Sequence, residues 1–225
     1  MGFSDNDIKS MEKRAYEIGA YRYKNVDGLE TFYNKIVKYL IFGNVLKNNT
    51  YPLSVSAERI IQAVEIVSYA KSINAKYIAH GSTGAGNDQV RFDMIFQILA
   101  PEIEIISLIR DQNLSRESEI KYLNSHGINI SWEKAKYSIN TGLWGISIGG
   151  AETLNSRDPL PESSYPSKVI KSESEELQIE FKTGELFAIN GKKGKPFELI
   201  QRLQILARDF GIGRDIHVGD TIIGI

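Results

Sequence analysis

The sequence predicts an α/β fold: a doubly wound, Rossmann-like parallel sheet over residues 1–131, followed by part of an α+β domain over 132–225. Three observations carry this expectation. Short apolar runs alternate with helix-period segments through the first 131 residues, the order that a parallel sheet with crossover helices requires. Three glycines, Gly81, Gly84 and Gly86, fall between one such run and the helix after it, where open α/β sheets carry their ligand loops. After Tyr137 the pattern turns Gly-rich and Pro-containing, from Thr141-Gly142 through Pro159, Pro161 and Pro166, which reads as a linker or site loop.

In order along the chain, Ser4-Asp5-Asn6-Asp7 is a capping start, and Ile8, Met11, Ala15 and Ile18 recur at helical spacing until Gly19. A short strand is expected over 21–24. A second helix follows, with Leu29, Phe32, Ile36, Val37, Leu40 and Ile41 on one side, and a third over 57–72, with Ile60, Ile61, Val64 and Val67 inward. Residues 76–80 read as a strand, 87–100 as a helix stopped by Pro101, 103–109 as a strand, 115–126 as a helix and 128–131 as a strand. Beyond the linker, 177–181 and 186–189 predict a hairpin, 196–209 a helix beginning on proline, and 216–223 a strand.

Composition bounds the partners. Hydrophobic residues make up 42% and charged residues 24% of the chain, and 27 Lys and Arg stand against 28 Asp and Glu, a formal charge of -1. That balance offers no electrostatic case for nucleic acid or an acidic membrane, so any anion must be held by a local site. No apolar run reaches the roughly 18 residues of a membrane span. The absence of cysteine excludes disulfides, thiolate metal sites and cysteine nucleophiles, and the polar start does not read as a secretory signal. A cytoplasmic location is the resulting expectation.

The chemistry concentrates in the string from His80 to Phe92. Glycines between a strand and a helix admit close backbone approach, and the helix N-terminus offers unpaired N–H groups with partial positive charge. Neither the Walker pattern nor G-x-G-x-x-G is present, so this much also fits a plain strand-to-helix connection capped by Asn87. Around the same turn stand Thr83, Asn87, Asp88 and Arg91. Asp88 suits an ammonium group, Arg91 a carboxylate held by two bonds, and Asn87 a partner needing donor and acceptor together. The set fits an amino-acid ligand. The competing reading pairs Asp88 with Arg91 on the helix surface, worth about 0.2–0.5 kcal/mol.

These thirteen residues resemble the signature of the argininosuccinate synthases, His-Gly-x-Thr-Gly-Lys-Gly-Asn-Asp-Gln-Val-Arg-Phe. Further matches come in order: residues 51–56, 99–101, 137–140, 143–147 and 212–214. The resemblance covers essentially the whole chain. It implies an adenine nucleotide α-hydrolase-like domain followed by part of a synthetase domain. It also implies a ligase that joins citrulline to aspartate through citrullyl-AMP, using ATP with Mg²⁺, and a homotetrameric complete protein. Tyr51, Ser56, Asn87, Arg91, Ser138 and Ser147 resemble citrulline contacts; Thr83, Asn87 and Asp88 resemble aspartate contacts, and Gly81 an ATP contact. No residue is expected to act as a nucleophile or metal ligand.

Taken alone, Tyr51 reads as a loop aromatic and Ser56 as an N-cap for the third helix, and neither Ser138 nor Ser147 carries a signal of its own. His80 reads as a strand-end residue, His126 as a helix C-terminus choice, and His217 lacks a second metal ligand nearby in sequence. The sequence departs from the family in placing Ala85 where the signature has lysine. It also lacks the family's Ser-Gly-Gly-Leu-Asp-Thr pyrophosphate loop and late glutamate and tyrosine citrulline ligands. The expectation is therefore a central portion of the enzyme that does not turn over alone. The alternatives are a non-catalytic fragment with partial amino-acid binding and, less in keeping with residues 87–91, another ATP-pyrophosphatase-type enzyme.

Overall fold

The computed structural model describes residues 4–84, 86–128, 137–155 and 157–218, which fall into two compact units. One takes residues 4–28 and 58–128, the other 29–57 and 137–218. The long helix α4, Ser54–Ser72, begins in the second of these and continues into the first.

The first unit opens with α1, Asp5–Glu17. Its capping box is complete: the Asp7 amide donates to Ser4 Oγ at 3.2 Å and the Ser4 amide to the Asp7 carboxylate at 3.0 Å. That pairing holds the Asp7 carboxyl below its ordinary range, with the Ser4 hydroxyl as the larger cause. The strand expected over 21–24 does not form; Tyr21 is 95% exposed, and among the described residues no strand pairs with this segment. Next come β1, Tyr77–Ala79, then α5, Asn87–Leu99, and β2, Glu104–Ile106, paired parallel to β1 with Ile78 opposite Ile105. This is a β-α-β unit. Its core is Ala63, Val67, Ala70, Ile78, Phe96, Ala100 and Ile103, so successive turns of α4 and the C-terminal end of α5 share one buried cluster with β1.

The strand expected over 103–109 stops early. Ser107, fully buried, donates its hydroxyl to Asp111 Oδ1 at 2.8 Å, and the Asp111 amide donates to the Ser107 carbonyl at 2.9 Å. This local exchange turns the chain into α6, Leu108–Asp111. Helix α7, Arg116–Ser125, starts on the Ser115 cap and ends at His126, whose Nδ1 lies 2.9 Å from the Tyr122 carbonyl. His126 is thus a helix terminator. Of the strand expected over 128–131, residues 129–131 lie outside the described residues.

In the second unit, α2 (Leu29–Phe32) and α3 (Lys38–Phe42) are joined by a π-helical segment, Tyr33–Val37. The wider turn brings Phe32, Tyr33 and Val37 together on the buried side. Tyr33 donates to Glu185 at 2.7 Å; burial first, then this bond, pushes its phenol well above the ordinary range. Strands β3 (Ser138–Gly142) and β4 (Gly145–Gly149) form an antiparallel hairpin. The expectation of a linker there is corrected at this point: Ile139, Thr141, Ile146 and Ile148 alternate as a strand pair requires, and glycine density hid them. The hairpin expected over 177–189 forms as β5 (Ile179–Lys182) and β6 (Glu185–Ile189), extended by β7 (Lys192–Lys193). Helix α8, Pro196–Arg208, packs Leu199 and Ile200 toward β6, where Leu186, Ala188 and Ile189 are buried. Residues 216–218 are irregular, and 219–223 of the last expected strand lie outside the described residues.

Candidate amino-acid and nucleotide site

The glycine loop leaves β1 at His80 and enters α5 at Asn87. Gly86, with φ -88° and ψ 154°, takes the N-cap position expected of Asn87, which becomes the first helical residue. None of Gly81, Gly84 and Gly86 has a left-handed φ. A Cβ would meet nothing within 4 Å at Gly81, the Arg110 side chain at 3.6 Å from Gly84, and Thr83 Oγ1 at 3.5 Å from Gly86. The fold therefore does not require glycine at any of the three. What their hydrogens leave open is backbone beside a helix N-terminus, the approach an anion uses. Ala85 lies outside the described residues. Gly81 and Thr83 are exposed, and Asn87 is half-buried.

Around this loop the charged residues are already paired. Arg91 donates through Nη1 to Asp88 Oδ1 at 2.7 Å, and Arg59, from α4, donates through Nε to Asp88 Oδ2 at 3.0 Å. The Asp88–Arg91 surface pair is therefore present, but it is only half of the arrangement. Arg59 carried no sequence signal, because its partner is 29 residues away on another helix.

A second network anchors the loop from below. His80 Nδ1 accepts the Ser82 amide at 3.3 Å, which places the ring proton on Nε2, 2.8 Å from Asp93 Oδ1. The ring also packs on Phe92 and Phe96, with centroids at 5.9 and 6.3 Å. Arg110 donates to the other Asp93 oxygen and to Gln89 Oε1, and Gln89 donates to the Gly84 carbonyl. The bond to Asp93 chiefly holds the Arg110 guanidinium above its usual range. Asp111 is held below the carboxylate range, by the Ser107 hydroxyl first and by Arg110 second. His80 is accordingly a fixed strand-end residue.

The other four expected contacts lie in the second unit. Tyr51 closes a tight turn with Lys47, whose amide donates to the Tyr51 carbonyl at 2.8 Å, and its ring stacks on His217 at 4.8 Å. The Val55 amide donates to the Tyr51 hydroxyl at 3.2 Å, so the phenol satisfies one free donor of the first turn of α4. Helix α4 begins at Ser54, which removes Ser56 as its cap; Ser56 Oγ donates to the Leu53 carbonyl at 3.1 Å. The segment meets the β3–β4 turn twice. Trp144 Nε1 donates to the Pro52 carbonyl at 3.0 Å, and a Cβ on Gly145, at φ 143°, would stand 3.3 Å from that of Ser54. Ser138 pairs with Gly149 and Asn140 with Ser147, so Ser138, Asn140 and Ser147 share one face of the hairpin. Among the described residues no group of three or more His, Cys, Asp or Glu could hold a metal ion, and no helix is long and apolar enough to cross a membrane.

Two family models match this chain. One, described as "Arginosuccinate synthase N-terminal HUP domain", matches residues 1–129; the other, "Arginosuccinate synthase C-terminal domain", matches 137–225. The chain belongs to the argininosuccinate synthase family. Its Rossmann-like first part, with a parallel sheet, and the α+β part that follows agree with the expected fold class. The argininosuccinate synthase of Methanocaldococcus jannaschii is 39% identical over 228 residues, covering 100% of this chain and 58% of the relative. That of Saccharolobus solfataricus is 38% identical, covering 97% and 56%, and that of Lactococcus lactis subsp. lactis 35% identical, covering 97% and 56%. The chain spans about 56–58% of the length of these relatives.

Proposed function

We propose that this chain carries amino-acid and nucleotide contacts of an ATP-dependent ligase that joins citrulline to aspartate. In that reaction the citrulline ureido oxygen attacks the α-phosphorus of ATP, and the bond to the β-phosphate breaks to release pyrophosphate. The aspartate amine then attacks the ureido carbon of citrullyl-AMP, the carbon–oxygen bond to AMP breaks, and the nitrogen loses a proton as argininosuccinate forms. The observation that carries the reading is the glycine loop. Three glycines that neither backbone conformation nor packing requires lie beside Asp88 and Arg91 at a helix N-terminus.

Within this reading Tyr51, Ser56, Asn87, Arg91, Ser138 and Ser147 contact citrulline. Thr83, Asn87 and Asp88 contact aspartate, and Gly81 contacts ATP. All of these donors and acceptors bind and orient; none is a nucleophile, and positioning of two amino acids against an activated carbon supplies the rate. Mg²⁺ would enter with ATP and offset the charge of its phosphates. The setting is the cytoplasm and the complete assembly a homotetramer.

Calorimetric titration of the 225-residue chain with L-citrulline, L-aspartate and MgATP tests the assignment. The reading expects saturable binding of both amino acids, competed by argininosuccinate. Binding of neither amino acid, at concentrations where MgATP or argininosuccinate is also without effect, contradicts it.

A further inference from the structure

Asp88 is contacted from two sides. Its Oδ1 accepts from Arg91, one helical turn along α5, and its Oδ2 accepts from Arg59 on α4. The side chain of Arg59 is 18% exposed, and its Nη1 donates to Gln62 Oε1 at 3.1 Å, one turn along its own helix. The guanidinium is thereby held from its own helix as well as by Asp88. A carboxylate with a different guanidinium on each oxygen has its torsion set and its charge balanced by two partners.

We propose that Arg59 is a positioning residue for Asp88, the carboxylate that the proposed function assigns to aspartate; the inference rests on that reading. If Arg91 turns to a ligand carboxylate, Asp88 would otherwise lose its counter-charge, and Arg59 supplies the one that stays. Asp88 then stays aimed, with one guanidinium still on its Oδ2, while Arg91 is free to bind. Among the described residues Asp88 is the hydrogen-bond partner of Arg91, engaged through Nη1, so its remaining donors are available for that exchange. Arg59 itself touches no substrate and acts through Asp88.

The test compares the wild-type chain with Arg59→Gln and Arg59→Lys, titrating each with L-aspartate and separately with L-citrulline, alongside melting temperatures. Arg59→Gln should raise the aspartate Kd about tenfold, as the loss of a charge-assisted bond predicts, and the citrulline Kd less than about twofold. Arg59→Lys should recover part of the aspartate loss, because an ammonium keeps the charge without the planar fork. A purely structural pair would instead lower the melting temperature and weaken both ligands equally, which overturns the inference, as does an unchanged aspartate Kd. Should Arg59→Gln fail to fold, the aspartate-to-citrulline ratio of Arg59→Lys decides by the same criterion. A wild-type chain that binds neither amino acid overturns the proposed function and this inference together; wild-type binding with an unshifted ratio overturns the inference alone.

Discussion

The two units solve the placement of polar groups in different ways, and their glycines show the difference. At the β3–β4 turn Gly145 is demanded by the fold: its φ of 143° is left-handed, and a Cβ would press on Ser54 at 3.3 Å. In the loop after β1 nothing in the backbone or packing demands Gly81. The hydroxyls of the hairpin face are held by backbone geometry, whereas the charged groups of the glycine loop are held by one another, through Arg59–Asp88–Arg91 and His80–Asp93–Arg110. A site built on neutral hydroxyls depends on strand register; one built on charges depends on counter-charges.

The comparison can be broken most sharply at those glycines. Gly145→Ala should destabilise the protein by about 1–3 kcal/mol, since it forces a side chain into a left-handed conformation against Ser54. Gly81→Ala should leave thermal stability unchanged or raise it by about 0.4–1 kcal/mol, because only unfolded-state entropy changes, while weakening MgATP. Equal thermal losses in both variants would show that the two turns do not differ. A smaller effect is expected on the hairpin face. Ser147→Ala removes a hydroxyl whose contact with Asn140 Nδ2 is already long, at 3.5 Å, so stability should hold. Citrulline should weaken by the worth of one neutral hydrogen bond, about 0.5–1.5 kcal/mol, read as a two- to tenfold change in Kd.

The smallest effect is a pH dependence confined to the second unit. Glu162 accepts two bonds from Arg214 Nη1, at 2.9 and 2.7 Å, and Arg214 lies over the Tyr165 ring at 4.0 Å. The pairing holds the Glu162 carboxyl below its usual range, with the Arg214 hydrogen bond as the largest cause. A carboxylate with a lowered folded-state pKa adds stability that is complete above its ordinary value of 4.5 and is lost as pH falls through the folded value. Acid melts of wild type and Arg214→Gln should therefore differ near neutrality and converge at low pH. Parallel curves would remove Glu162 from the account.

Much of the fold was legible because it rests on local signals. The Ser4 cap, the helix-period runs of α4 and α5 and the proline start of α8 are each written within a few residues. The site was legible as a string, because one turn of one helix holds Asn87, Asp88 and Arg91. What could not be read was contact between elements. Arg59 meets Asp88 across 29 positions and Arg110 meets Asp93 across 17, with no periodicity linking either pair. The β3–β4 hairpin was masked by glycines that mark its turn and ends, and residues 21–24 had strand-forming side chains but, among the described residues, no strand to pair with.

Arg91 offers the most direct test that this loop binds an amino acid and is not merely a paired helix surface. In the proposed function its guanidinium leaves Asp88 for the citrulline carboxylate. Arg91→Ala should then cost about 1.5–3 kcal/mol of citrulline binding, roughly one to two orders of magnitude in Kd, with aspartate and MgATP affected far less. Arg91→Lys should restore only part, for want of the planar two-bond geometry. If Arg91 serves only its pair with Asp88, either substitution should change stability by under about 0.5 kcal/mol and leave citrulline titrations superimposable on wild type. Citrulline calorimetry on the three proteins, with their melting curves, decides: a selective loss of citrulline affinity is the predicted result, and an unchanged affinity contradicts the account.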